Sequence, residues 1–299
     1  MSFIRSIGRE CYHFLIRAVN YPGFRKFYSG WKVNVHTIDE TVDYIIENKP
    51  SVARFGDGEF MVMDNSGNGF QTPNAALGRR LKEVFDSHID NLLICVPNAF
   101  GRVDDHTKNA KTFWYPYFRK NQEFLRRTID CDREYFNTSF TRFYISFKDK
   151  KNVGLYVEKM RRIWEGRDVV IVEGIHTLLG VGNDLFSNTA SIERILGPAQ
   201  NAFDHYDSLL HTVTESVSKD KLIICALGMT ATVLCYDLAI LGYQAIDIGH
   251  VDIEYCWYRM GAKRKVAIPG KAVNEVGINN PELNRGDEAY FKSIIARVK

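Results

Sequence analysis

The chain has 299 residues, 45% of them hydrophobic and 25% charged, which excludes a disordered protein and allows one large α/β domain with an accessory segment. A net charge of +3 is too small to imply nucleic acid, and six cysteines without a Cys-x-x-Cys pair exclude a zinc knuckle or dithiol redox motif. No apolar run is long enough to cross a bilayer.

The charge is uneven. In residues 1–32, Arg5, Arg9, Arg17, Arg25, Lys26 and Lys32 stand against Glu10 alone, a surplus of +5 that leaves about −2 for the rest. Residues 1–35 therefore read as a basic, aromatic segment and residues 36–299 as the main domain. Cys11, Phe14, Leu15, Ala18 and Val19 have helical spacing. Such a helix lies either on an anionic membrane surface or on the protein's own core, and the pattern does not separate the two. No secretory signal is expected, since no uninterrupted apolar stretch leads to a small-residue cleavage site.

Thr37-Ile38-Asp39-Glu40 fits a capping box and opens a short helix that Pro50 ends. Ser51 to Phe55 reads as a strand cut off by Gly56-Asp57-Gly58, and a Gly/Asn loop runs from Asn65 to Gly69. A helix over Asn74–Ser87 precedes a buried strand over Asn91–Val96. Thr107 to Ile129 is predicted helical and broken near Pro116. Val153, Val157, Met160 and Trp164 mark another helix, ended by Gly166. Asp168–Gly174 and Lys221–Leu227 are buried strands, with Tyr206–Ser218 helical between them. Gly228-Met229-Thr230 turns into a helix, and Gln244–Ile248 forms a final strand. Cys95 and Cys225 sit inside apolar runs and are expected to be buried thiols, which suits a reducing cytoplasm. Strands alternating with amphipathic helices predict an α/β fold: a Rossmann-like, mostly parallel sheet with helices on both faces.

Ligands of open α/β sheets bind beyond the carboxyl ends of the strands, so the residues there are the candidates. In extended form Asp57 and Glu59 point the same way and could face one hard cation, with Gly56 and Gly58 letting backbone approach a ligand. Taken alone the triplet reads first as a turn. Gly228 and Thr230 stand at a helix start suited to phosphate, Thr230 serving as a cap before it serves as a ligand. No Gly-x-Gly-x-x-Gly fingerprint is present, so a nicotinamide cofactor is not indicated. In extended form His250, Asp252 and Glu254 would share a face, enough for a metal ligand and a general base. Glu173 ends a strand, and Gly182, Asn183 and Asp184 suit either hydrogen bonds to a base or ribose or an ordinary Asx turn.

Together these pieces resemble the GT-D-type bacterial glycosyltransferases, a family first catalogued as a domain of unknown function. The matching stretches are Ser51–Phe60, Gly180–Phe186, Asn201–Phe203, Leu227–Thr232 and Asp247–Tyr255, with Gly270-Lys271 and Asn274-Glu275 closing the series. They occur in family order over about Thr37 to Glu275. Two positions depart from the pattern: Cys256 replaces an expected acid and Leu178 an expected basic residue.

The resemblance implies a UDP-sugar donor, with glucose or a related hexose as the expected sugar, and a glycan acceptor on a protein or lipid carrier. It also implies a metal-binding Asp-x-Glu motif at Asp57 and Glu59, holding Mn²⁺ or Mg²⁺. In that scheme Arg54 and Gly228–Thr230 add positive potential at the diphosphate. Glu254, or after it Asp252, takes the acceptor proton, and His250 binds the metal or a phosphate. Asn183, Asp184 and Asn201 hold the nucleotide, and Arg142 contacts the acceptor or donor phosphate. A phosphohydrolase using the same carboxylates and a non-catalytic glycan-binding module are the alternatives. The expected location is the cytoplasm, including the inner face of the cell membrane.

Overall fold

The computed structural model describes residues 2–64, 74–273, 276–278 and 288–298. The Asn65–Gly69 loop and Asn274-Glu275 lie outside them. Nine strands form one sheet: β1 (Asn34–Val35), β2 (Ser51–Arg54), β3 (Leu92–Val96), β4 (Glu134–Asn137), β5 (Asp168–Gly174), β6 (Ser191–Gly197), β7 (Leu222–Ala226), β8 (Gln244–Asp247) and β9 (Ile294–Arg297). Their order is β1-β4-β3-β2-β8-β7-β5-β6-β9, and every pairing between them is parallel. The chain moves outward from β2 through β3 to β4, then starts again at β5 and returns through β7 and β8 to pair with β2. The reversal between β2 and β8 leaves a crevice at their carboxyl ends, the place where such sheets take ligands.

Period-two alternation sends the strand residues to two cores. Val52, Leu93, Val169, Ile171, Leu222 and Ile224 pack on one face against α2 (Ile38–Asn48), α7 (Val153–Arg161) and α10 (Val251–Arg259). On the other face, Ala53, Ile94, Val170, Val172 and Ile223 meet α4 (Ala75–Asp86), α8 (Tyr206–Ser216) and α9 (Met229–Ile240). Burial on both faces explains the near-continuous apolar runs of β3, β5 and β7. Cys95 and Cys225 are buried there as thiols. The capping box of α2 is present: Glu40 N binds Thr37 Oγ1 at 3.1 Å and Thr37 N binds Glu40 Oε2 at 2.7 Å.

Several local expectations are corrected. Asp57-Gly58-Glu59 is not extended; it is the first turn of α3 (Asp57–Met63). Residues 251–259 are likewise helix α10, begun right after the β8 turn. The helix α6 (Lys108–Thr128) runs unbroken through Pro116. It is held by tertiary packing: Tyr115, Tyr117 and Phe118 are buried, and Phe24 stacks on Tyr115 at 4.3 Å between centroids. Gln244–Asp247 is not the last strand, because β9 adds to the far edge beside β6. The strands β1, β4 and β6 had no clear apolar alternation to announce them. The remaining helices are α5 (Asn98–Arg102) and α11 (Glu288–Ser293).

The N-terminal helix α1 (Ser2–Tyr28) settles on α6 by its second half, where Phe24 and Phe27 are buried, with Trp31 just beyond the helix. The stripe picked out by helical spacing, Cys11, Phe14, Leu15, Ala18 and Val19, faces away from the core and is exposed. Among the described residues no helix is long and apolar enough to cross a membrane.

Candidate active site at the carboxyl ends of the strands

A cleft of about 1300 Å³ opens beyond the strand ends. It is lined by Arg54, Gly56, Asp57, Gly58 and Glu59 after β2, by Pro97 after β3 and by Thr138, Ser139 and Arg142 after β4. Gly174, His176 and Thr177 follow β5, Asn201 lies beyond β6, and Ala226–Met229 with Gly249, His250 and Asp252 close the β7 and β8 side. Helices α3, α9 and α10 all begin at this cleft, so three positive dipole ends converge on it. Its mouth carries Lys150, Lys263, Arg264 and Lys265.

At the crevice floor Arg54 clamps the two halves of the sheet. Its Nη1 donates to Thr141 Oγ1 at 2.7 Å and its Nη2 to Asp247 Oδ1 at 3.0 Å. Asp247 also accepts from Gly249 N at 3.1 Å and Thr232 Oγ1 at 3.3 Å, and Thr232 donates to the Arg54 carbonyl at 3.0 Å. Burial raises the Asp247 carboxyl, opposed by Arg54 and these hydrogen bonds. Gly249 has φ +48°, and a Cβ there would lie 2.8 Å from Arg54 Cζ and closer still to Nη2. Arg54 therefore lines the cleft as part of the scaffold and lends its charge from there.

Within α3, Glu59 Oε2 accepts from Gly56 N at 2.7 Å, closing the helix start on itself. Burial, then the nearby Asp247 charge, pushes the Glu59 carboxyl up to about 7. Asp57 and Glu59 both line the cleft, although helical geometry sets them about 200° apart rather than side by side. Among the described residues no three His, Cys, Asp or Glu side chains gather as a closed metal cage. The carboxylates of Asp57 and Glu59 are oxygen donors of the kind that suits a hard cation such as Mg²⁺ or Mn²⁺.

On the opposite wall Arg142 Nη2 lies 2.8 Å from His250 Nδ1. A guanidinium only donates, so Nδ1 accepts and Nε2 carries the ring proton. Lys150 Nζ sits 3.8 Å from the centroid of Tyr144, and burial lowers its pKa. Asn201, in a left-handed conformation at φ 50°, presents itself at the cleft edge.

Other predicted site residues serve the framework. The shared face of His250, Asp252 and Glu254 does not exist, because α10 turns Asp252 and Glu254 apart. Glu254 is fully buried; its Oε2 accepts from Tyr144 N at 3.1 Å and Ile145 N at 2.9 Å, and it does not line the cleft. Asp252 does line it, paired with the buried Lys271 and accepting from Asn183 Nδ2 at 2.5 Å. Lys271 Nζ also donates to the Leu178 carbonyl at 3.1 Å. Glu173 is buried, paired with Arg194 at 2.5 Å and accepting from Leu179 N at 2.7 Å. Gly182, Asn183 and Asp184 lie outside the cleft lining. Asn183 Oδ1 accepts from Leu185 N at 3.0 Å as an Asx turn, and Asp184 accepts from Tyr255 Oη at 2.7 Å and Arg259 Nη1 at 2.8 Å. Thr230 is buried and makes no cap; Gly228, with φ +57°, takes the N-cap position, and the polar role falls to Thr232 one turn along. Thr232, Asp247 and Lys271 stand in the matching stretches without a role, and Arg194 outside them, because each acts through a partner elsewhere in the chain.

Comparison with known proteins identifies the family and the fold. A family model described as the glycosyltransferase GT-D fold matches residues 52–276. Glycosyltransferase GlyD of Streptococcus pneumoniae serotype 4 is 38% identical over 267 residues, covering 89% of this chain and 33% of that protein. A probable glycosyl transferase, Gly, of Streptococcus gordonii is 35% identical over 270 residues, covering 89% and 39%. The chain thus spans little more than a third of the length of these curated relatives. A solved domain of unknown function 1792, described as having a distinct glycosyltransferase fold, superimposes with a TM-score of 0.87 at 38% identity, covering 94% of this chain and 100% of that one. A glycosyltransferase of the same domain type from Streptococcus sanguinis gives 0.85 at 34% identity, covering 90% and 100%.

Proposed function

The chain belongs to the glycosyltransferase family with the GT-D fold, and from that premise we propose that it moves glucose or a related hexose from a UDP-sugar to a glycan acceptor on a protein or lipid carrier. The observation that carries this reading is the charge layout of the cleft. Asp57 and Glu59 stand on one wall, while Arg142, Lys150 and Lys263–Lys265 supply cations around it. A nucleoside diphosphate needs such an arrangement, with acids for a cation and bases for the phosphate oxygens.

In this reading Asp57 and Glu59 would hold Mn²⁺ or Mg²⁺, which when bound would supply Lewis-acid stabilisation of the departing diphosphate. The positive ends of α9 and α10, with Gly228 at the turn, act on the same charge. Arg142 keeps His250 in the tautomer that offers Nε2–H to a phosphate oxygen. Asn201 is the proposed contact of the nucleotide. Of the two carboxylates considered as base, Asp252 lines the cleft and is the proposed acceptor of the hydroxyl proton. Glu254 is assigned to positioning, since it fixes the backbone at Tyr144 and Ile145 beside Arg142.

The test is UDP release and sugar transfer from UDP-glucose with Mn²⁺ and a glycan acceptor. Asp57→Asn and Glu59→Gln, which keep the shape of the helix start, are expected to lose about 100-fold or more in kcat. Full activity in both variants, or undiminished wild-type activity in a chelator, overturns the metal assignment. Phosphate release without sugar transfer identifies a phosphohydrolase instead.

A further inference from the structure

The outer face of α1 is built the reverse of an ordinary surface helix. Tyr12, Phe14, Leu15 and Val19 are each about 60% or more exposed, at 61, 63, 59 and 67%. Cys11, Ala18 and Pro22 complete the same exposed stripe, and no charged side chain interrupts it between Cys11 and Pro22. The one cation in that span, Arg17, is turned inward: its Nη1 donates to Lys108 O at 3.2 Å and Thr112 Oγ1 at 2.7 Å on α6. Single exposed apolar residues need no explanation, but a contiguous patch of this kind marks an interaction surface.

Its surroundings are strongly basic. From residue 10 onward helix α1 carries Arg17, Arg25 and Lys26 against Glu10. Helix α6 carries Lys108, Lys111, Arg119, Lys120, Arg126 and Arg127 against Glu123. Three bases less one acid, and six less one, give the described part of this helix pair +7 in a chain whose total is +3. Counting Asp104 and Asp64, which pair with Lys111 and Arg127, still leaves +5. Arg25, Lys26, Lys108, Arg119 and Lys120 are all exposed.

We propose that the α1–α6 pair docks on an anionic lipid surface, with the Tyr12–Val19 stripe inserted at the headgroup boundary and the flanking cations on the lipid phosphates. An apolar stripe inside a basic field is the pattern of an interfacial helix. A second copy of the chain would bring two such positive surfaces together and be repelled. The docking also orients the cleft. The first turns of α6 hold Arg17 on one side, while Thr107, Asn109, Ala110, Phe113 and Trp114 line the cleft on the other. A surface-bound molecule therefore carries its cleft wall next to the lipid. This extends the proposed transferase by favouring an acceptor held at a membrane, but the docking itself does not depend on transferase activity.

The test is co-sedimentation of the full chain with vesicles of phosphatidylcholine alone or mixed with phosphatidylglycerol, in low and high salt, alongside analytical ultracentrifugation without lipid. The expected result is binding to the anionic vesicles that salt weakens and little binding to phosphatidylcholine. Leu15→Glu with Val19→Glu, both at exposed positions, is expected to weaken binding by about tenfold or more while UDP release with a soluble acceptor is unchanged. Arg25→Glu with Lys26→Glu is expected to remove the preference for anionic vesicles. Failure of the wild type to bind, or equal binding by the Leu15/Val19 variant, overturns the proposal. So does self-association that the same variant abolishes in the absence of vesicle binding, which assigns the stripe to a second copy. Loss of transfer activity through Asp57→Asn with vesicle binding retained separates this inference from the catalytic one.

Discussion

At the residue scale, the site is organised around Arg54 and Asp247, a pair joined across the sheet reversal and sealed by Gly249. A side chain at position 249 would displace the guanidinium from a nearly closed ion pair. Gly249→Ala is therefore expected to cost about 3 kcal/mol or more in unfolding free energy, measured by denaturant titration. A loss below about 1 kcal/mol would show that Arg54 can move aside without harm. Asp57, Glu59, Gly228, His250 and Asp252 line the cleft because each follows a strand that periodicity and turn residues mark in the sequence, whereas Arg142 and Asn201 follow β4 and β6, which carry no such mark. Glu173, Glu254 and Thr230 also follow strands or turns, yet their side chains point into the protein. Which way a side chain leaves a strand end depends on the next element's first dihedral angles, and these were set by α3 and α10 starting earlier than an extended reading allowed.

At the element scale, the buried carboxylates fasten loops to strands. Glu173 ties β5 to β6 through Arg194 and to the following loop through Leu179 N. Glu173→Gln leaves the Arg194 charge without its counter-ion inside the protein. The expected loss is about 3 kcal/mol or more of stability, seen as a lower Tm. Donor affinity of the folded fraction, read by UDP titration, is expected to stay unchanged. An unaltered Tm with weakened UDP binding would return Glu173 to the donor site. Helix α6 shows the opposite lesson about local signals. Pro116 argues for a break, but the aromatic packing of Tyr115 and Phe118 on α1 outweighs one lost hydrogen bond.

At the scale of the whole molecule, stability is concentrated where the strands are covered on both faces. Strands β2, β5, β7 and β8 lie inside the sheet, whereas the two-residue β1 and the four-residue β9 form its edges. Native-state hydrogen exchange is expected to show amides of β5 and β7 protected on the order of 100-fold more than those of β1 and β9. Equal protection at the edges would imply that another surface covers them.

The sequence by itself determined the alternation of buried strands and amphipathic helices, hence an α/β sheet with helices on both faces. It also determined the strand ends at which polar residues gather, because burial period and helix caps are local properties of the chain. Only the tertiary structure decided which of those polar residues line the cleft and which are consumed in buried pairs such as Glu173–Arg194. It likewise decided that the apolar stripe of α1 faces outward. Both outcomes depend on partners 15 to nearly 200 residues away, and no local pattern carries the position of a distant partner.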